Sequence, residues 1–147
     1  MSAIAGKDAR ALSLDALEGR WRIARRIEDR RAGTQGTLVG EAVWSGDGAG
    51  SRQVETGVLR LGAARPMQAR RVYLWRAGAA GALNVCFEDG RPFHRLVPGA
   101  ASDRHLCGPD IYDVTYDLGA FPDVWHQRWS VMGPRKEYTL STRFWRG

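Results

Sequence analysis

The chain has 147 residues, enough for one domain around one core and too few for two of ordinary size. Hydrophobic residues at 44% and charged residues at 26% match globular usage, which excludes wholesale disorder. Lysine and arginine total 22 against 16 acidic residues, for a net charge of +6, but the basic residues run from Lys7 to Arg146 without a long block, so a nucleic-acid partner is not expected.

No apolar run reaches the length of about eighteen residues that a membrane helix needs, so no membrane partner is expected. Met1 to Arg10 carries Lys7, Asp8 and Arg10 where a secretory signal would be apolar, and a cytoplasmic location is the expectation. The two cysteines, Cys86 and Cys107, form no CxxC pair and read as reduced thiols.

Residues 1–11 have no periodicity and read as a flexible lead-in to a single domain over 12–147. Ser13 before Leu14-Asp15-Ala16-Leu17 predicts one helical turn with Ser13 as its cap. From Gly19 the period becomes two, with Trp21, Ile23, Arg25 and Ile27 on one face and Arg20, Arg22, Arg26 and Glu28 on the other. The same alternation predicts strands over 37–44, 53–61, 70–76, 83–88, 92–97, 111–117, 124–132 and 137–145. Asp89-Gly90 between two of them suits a two-residue hairpin, and Gly133-Pro134-Arg135-Lys136 suits a tight turn with Lys136 at a rim.

About nine strands with short connections and no crossover helix make an all-β antiparallel meander, which closes into an up-and-down barrel of about 8–10 strands. A barrel of that size encloses its own side chains or one small ligand.

Leu17-Glu18-Gly19-Arg20-Trp21 resembles the opening of lipocalin-like, or calycin, barrels. The resemblance implies that Trp21 packs at the closed end beneath an arginine of the last strand, where Arg143 or Arg146 stands; a cation over an indole face is its physical basis. Gly19-x-Trp21 with Arg25, Phe87-x-Asp89-Gly90-Arg91-x-Phe93-His94, Cys107-Gly108-x-Asp110-x-Tyr112 and Trp129-x-Val131-x-Gly133-Pro134-x-Lys136 together resemble a largely bacterial family of small lipocalin-like domains of unknown function. That resemblance implies a fold and no activity.

Arginine pairs set the first question of chemistry. In a strand, neighbours point to opposite faces, so Arg25-Arg26 and Arg70-Arg71 each send one guanidinium inward. If Trp21 and Ile23 face the lumen, so does Arg25, and an enclosed charge needs a partner. Glu55 on the third strand is one candidate; a carboxylate or phosphate of a ligand is the other.

Tyr73, Phe87, His94, Tyr112 and Trp129 are the expected lining of a cavity for a small hydrophobic or aromatic ligand with an acidic group, although the same residues would equally make a filled core. Catalysis is the alternative reading: an isomerase or hydrolase with His94 as base, oriented by Asp110 or Tyr112, and Cys107 as a nucleophile. A module holding acidic partners through Arg70 and Arg71 is a third reading, and homodimerisation is left open. His94, His105 and His126 lack metal-ligand spacing, so no metal or cofactor is expected; haem on one inward histidine is the exception to be tested.

Overall fold

The computed structural model describes residues 12–146, so the predicted lead-in lies outside the described residues. Helix α1 (Leu14–Leu17) is the expected single turn, with the Ala16 amide donating to Ser13 Oγ at 3.2 Å. Ten antiparallel strands follow: β1 (Gly19–Asp29), β2 (Thr34–Gly46), β3 (Ser51–Leu61), β4 (Met67–Ala77), β5 (Leu83–Phe87), β6 (Pro92–Leu96), β7 (Ser102–Cys107), β8 (Asp110–Asp117), β9 (Val124–Gly133) and β10 (Lys136–Trp145).

The sheet order is β6-β5-β4-β3-β2-β1-β10-β9-β8-β7. Pairing of β1 with β10 rolls the meander into a nearly closed barrel, whose two sheet ends, β6 and β7, meet without a backbone ladder. Side chains hold that seam: the Arg95 amide donates to Asp103 Oδ2 at 2.6 Å, and His105 packs edge-on to Phe93 at 5.6 Å.

Alternation decides which side chains face inward. Trp21, Ile23 and Arg25 of β1 are buried while Arg22 and Arg26 are exposed, as the period of two demands. Strand β7 escaped the sequence pattern because Ser102-Asp103-Arg104-His105-Leu106-Cys107 carries no apolar alternation; its inward positions are Asp103, His105 and Cys107.

The hairpin at Asp89-Gly90 is longer than the two-residue form. Four residues, Glu88 to Arg91, separate β5 from β6, and the register shifts between Val85 and Cys86. Pro92 cannot donate to a ladder, and Asp89 instead accepts from the Arg91 amide at 3.0 Å. The shift buries both Phe93 and His94, which strict alternation would place on opposite faces.

At the closed end, the Arg146 guanidinium lies 3.8 Å from the Trp21 ring centroid and donates to the carbonyl oxygens of Leu17 and Glu18. Arg146, rather than Arg143, is therefore the arginine over Trp21; Arg143 stacks outside on Trp145. Gly19 sits directly under Arg146 with φ of +105°, a conformation that favours glycine.

Candidate functional site

The closed half of the lumen is solid. Trp21, Trp44, Trp75, Trp125 and Phe144 are each at most 1% exposed, and Trp125 stacks on Phe144 with centroids 3.9 Å apart. Burial of five such rings fills that end with close-packed aromatic side chains and leaves no room for a ligand there.

A polar girdle lies above it. Arg25 and Glu55 are 4% and 3% exposed and form a two-pronged pair, with Nη1 donating to Oε1 at 2.5 Å and Nη2 to Oε2 at 2.8 Å. Nε donates to Thr142 Oγ1 at 2.7 Å. Strand β2 runs between the two partners, and there Gly40 opposite Gly57 of β3 places no side chain at either inward position. The two backbones approach so closely that a Cβ at Gly40 would collide with the Thr56 carbonyl oxygen. Of the two partners considered for Arg25, the structure supplies Glu55, and each of the three guanidinium nitrogens donates to a protein acceptor.

His94 is bonded within the same girdle. Its Nε2 lies 2.7 Å from Tyr116 Oη, which also accepts from Gln127 Nε2 at 2.7 Å. Burial, with a smaller contribution from the His105 charge, depresses the His94 pKa to about 3, so the ring is neutral. Burial likewise raises Tyr116 well above the ordinary phenol range. His94 thus meets Tyr116, where the catalytic reading would require Asp110 or Tyr112.

The open end is different. Arg71 of β4, in register with Glu55, reaches into the mouth and lies 5.6 Å over the ring of Trp129. Its Nη1 is 3.5 Å from Tyr73 Oη, and no carboxylate lies within ion-pair distance among the described residues. Desolvation opposes the Arg71 charge, but Tyr73 and the nearby Glu55 carboxylate outweigh it and hold its pKa above the ordinary guanidinium value. Burial is the largest influence on Tyr73 and raises its pKa, against the opposing Arg71 charge.

The two rings that Arg71 meets, Trp129 and Tyr73, belong to a larger aromatic cluster. Tyr73 is edge-on to Trp129 at 5.9 Å and stacked on Phe93 at 6.0 Å, Phe87 stacks on Phe93 at 4.7 Å, and Phe93 is edge-on to Tyr112 at 5.7 Å. Trp129 Nε1 is buried without an acceptor among the described residues. A groove of about 540 Å³ opens beside Arg71, bordered by Tyr73, Phe87, Asp89 and Arg91.

Four of the predicted lining residues, Tyr73, Phe87, Tyr112 and Trp129, therefore share the mouth, and His94 lies deeper. Lys136 and Asp110 pair at the rim at 3.1 Å, close to Gly133, where any Cβ would collide with the Asp110 carboxylate. Cys107 is exposed at the end of β7, Cys86 is half-buried, and both are free thiols. Sequence reasoning did not single out Arg71 at the mouth, although alternation requires one of Arg70 and Arg71 to turn inward. The pair does not form one outer patch. Among the described residues no group of three or more His, Cys, Asp or Glu side chains could hold a metal. No helix is long and apolar enough to cross a membrane.

Solved structures share this fold at very low sequence identity. The S-type phycobiliprotein lyase from Guillardia theta is 10% identical, with a TM-score of 0.57 and coverage of 96% of each chain. A protein of unknown function from the DUF3598 family of Nostoc punctiforme is 15% identical with a TM-score of 0.52 over 92% of this chain, which spans about half (49%) of that protein's length. At these identities the likeness establishes the fold alone. No curated protein matches the sequence. A family model does match residues 17–146, nearly the whole domain, and the chain belongs to that group, the family of unknown function DUF6314.

Proposed function

We propose that the protein binds a small aromatic or hydrophobic molecule bearing an acidic group in the open end of its barrel, with Arg71 as the anchor. The supporting observation is the state of the two inward arginines. Arg25 is matched by Glu55 and Thr142, whereas Arg71 stands among aromatic rings with only a long contact to Tyr73. A guanidinium held over an indole face at an exposed, open mouth is suited to pair with a carboxylate or sulfonate while the rings take the ligand body.

Recognition here is by shape and one charge, without covalent chemistry. The bonding of His94 to Tyr116 and of Asp110 to Lys136 favours a binder over the isomerase or hydrolase alternative. Two free thiols suit a reducing, cytoplasmic setting.

The test uses 1-anilinonaphthalene-8-sulfonate and its uncharged counterpart N-phenyl-1-naphthylamine, followed by fluorescence. Arg71→Leu is expected to weaken the sulfonate about ten- to a hundredfold, the value of one charge-assisted hydrogen bond, and to leave the neutral dye within a few-fold. Equal affinities of the sulfonate for the variant and the parent would remove Arg71 as the anchor.

A further inference from the structure

The most extensive hollow described on this molecule lies outside the barrel. It has a volume of about 590 Å³ and spans the outer face of β2, β1, β10, β9 and β8. Its existence follows from side-chain size. Val39, Ala24, Ser141 and Thr115 are small outward residues of β2, β1, β10 and β8, and long side chains, among them Arg128 of the intervening β9, stand between and around them.

Those long side chains are cationic. Arg26, Ser141 and Arg128 form one cross-strand row, β1 to β10 to β9. Ala24, Arg143 and His126 form the next row. Three arginines from three neighbouring strands thus surround the Ser141 hydroxyl. Glu28 lies 3.6 Å from Arg26, and Asp117 borders the hollow at its β8 end. Arg128 and Arg143 have no carboxylate within 4.0 Å among the described residues. Arg143 is also held by its stacking on Trp145, 4.6 Å from the ring centroid, which reduces the entropy it would lose on meeting a ligand.

We propose that this hollow is a second binding site, taking an organic phosphate with a flat apolar body. Val39, which is 60% exposed, and Ala24 give the body an apolar floor. A phosphate monoester carries about two negative charges and three acceptor oxygens, which suits several guanidiniums from different strands; a single carboxylate would be satisfied by one. The volume lies within the usual range for small-molecule sites. The site shares no lining residue with the mouth at Arg71 and stands independently of the function proposed there.

Calorimetric titration with 1-naphthyl phosphate, inorganic phosphate and 1-naphthol tests it. The phosphate ester is expected to bind about ten- to a hundredfold more tightly than either of its parts. Arg128→Ser and Arg143→Ser, both at exposed outward positions, should each reduce that affinity about tenfold or more, and Ala24→Phe should abolish it by filling the floor. Arg71→Leu should leave it unchanged, which separates this site from the mouth. Amide shifts at Ala24 and Ser141 on titration locate the ligand by NMR. The proposal is overturned if the ester binds no better than inorganic phosphate, an adventitious ion only, or if affinity survives both arginine substitutions.

Discussion

Arg25→Leu is expected to destabilise the barrel by about 3–5 kcal/mol, because it leaves the Glu55 carboxylate enclosed and uncompensated. The guanidinium makes three hydrogen bonds, two to Glu55 and one to Thr142, and each partner is at most 3% exposed. Urea denaturation at neutral pH measures the loss. Arg25→Leu combined with Glu55→Leu should recover most of it, since a buried pair replaced by apolar groups of similar volume is often neutral. A single variant as stable as the parent would mean that water or another cation reaches Glu55. The substitution bears on stability, and dye binding at the mouth should respond to Arg71 instead.

The second large effect is a dependence of stability on pH. His94 is neutral in the fold, with its pKa depressed to about 3, against about 6.5 in the unfolded chain. Below about pH 6.5 the unfolded chain therefore binds a proton that the folded protein refuses. Stability attributable to this ring is intact above the unfolded value and falls by about 1.4 kcal/mol per pH unit as pH drops toward 3. Carboxylates titrate in the lower part of that window, so the measurement is a difference. His94→Gln keeps a polar partner for Tyr116 and should flatten the slope between pH 6 and 4.5 by about that amount. An NMR titration placing His94 near 6.5 would contradict the assignment.

The sequence carried much of the architecture because alternation is a strong constraint. Trp21, Ile23 and Arg25 could be assigned to one face from spacing alone, and Glu55 stood as one of two candidate partners for Arg25, beside an anionic group of a ligand. Gly-x-Trp with a late arginine located the closed end, leaving only the choice between Arg143 and Arg146. Three features were not legible. Strand β7 lacks apolar alternation because its inward residues face the wet mouth and the seam. His94 and Phe93 could not be placed because the register shift at Val85/Cys86 breaks the parity on which such reasoning depends. Arg71 was ambiguous because a pair of arginines tells that one turns inward without saying which.

The outer hollow was invisible for a further reason. Ala24, Ser141 and Thr115 are unremarkable singly, and only the register of β1, β10, β9 and β8 brings them to the border of one hollow. Long-range pairing of this kind has no signature in any local stretch of chain.

Rolling the ten-strand sheet until β6 meets β7 turns the two raw margins toward each other. Hydrogen-bonding groups that could recruit a foreign strand are thereby shielded without a ladder between the margins, and the Arg95 amide is taken by Asp103. Closure along this one line consequently rests on side chains, with Asp103, Phe93 and His105 taking the place that a ladder holds between every other pair of neighbouring strands.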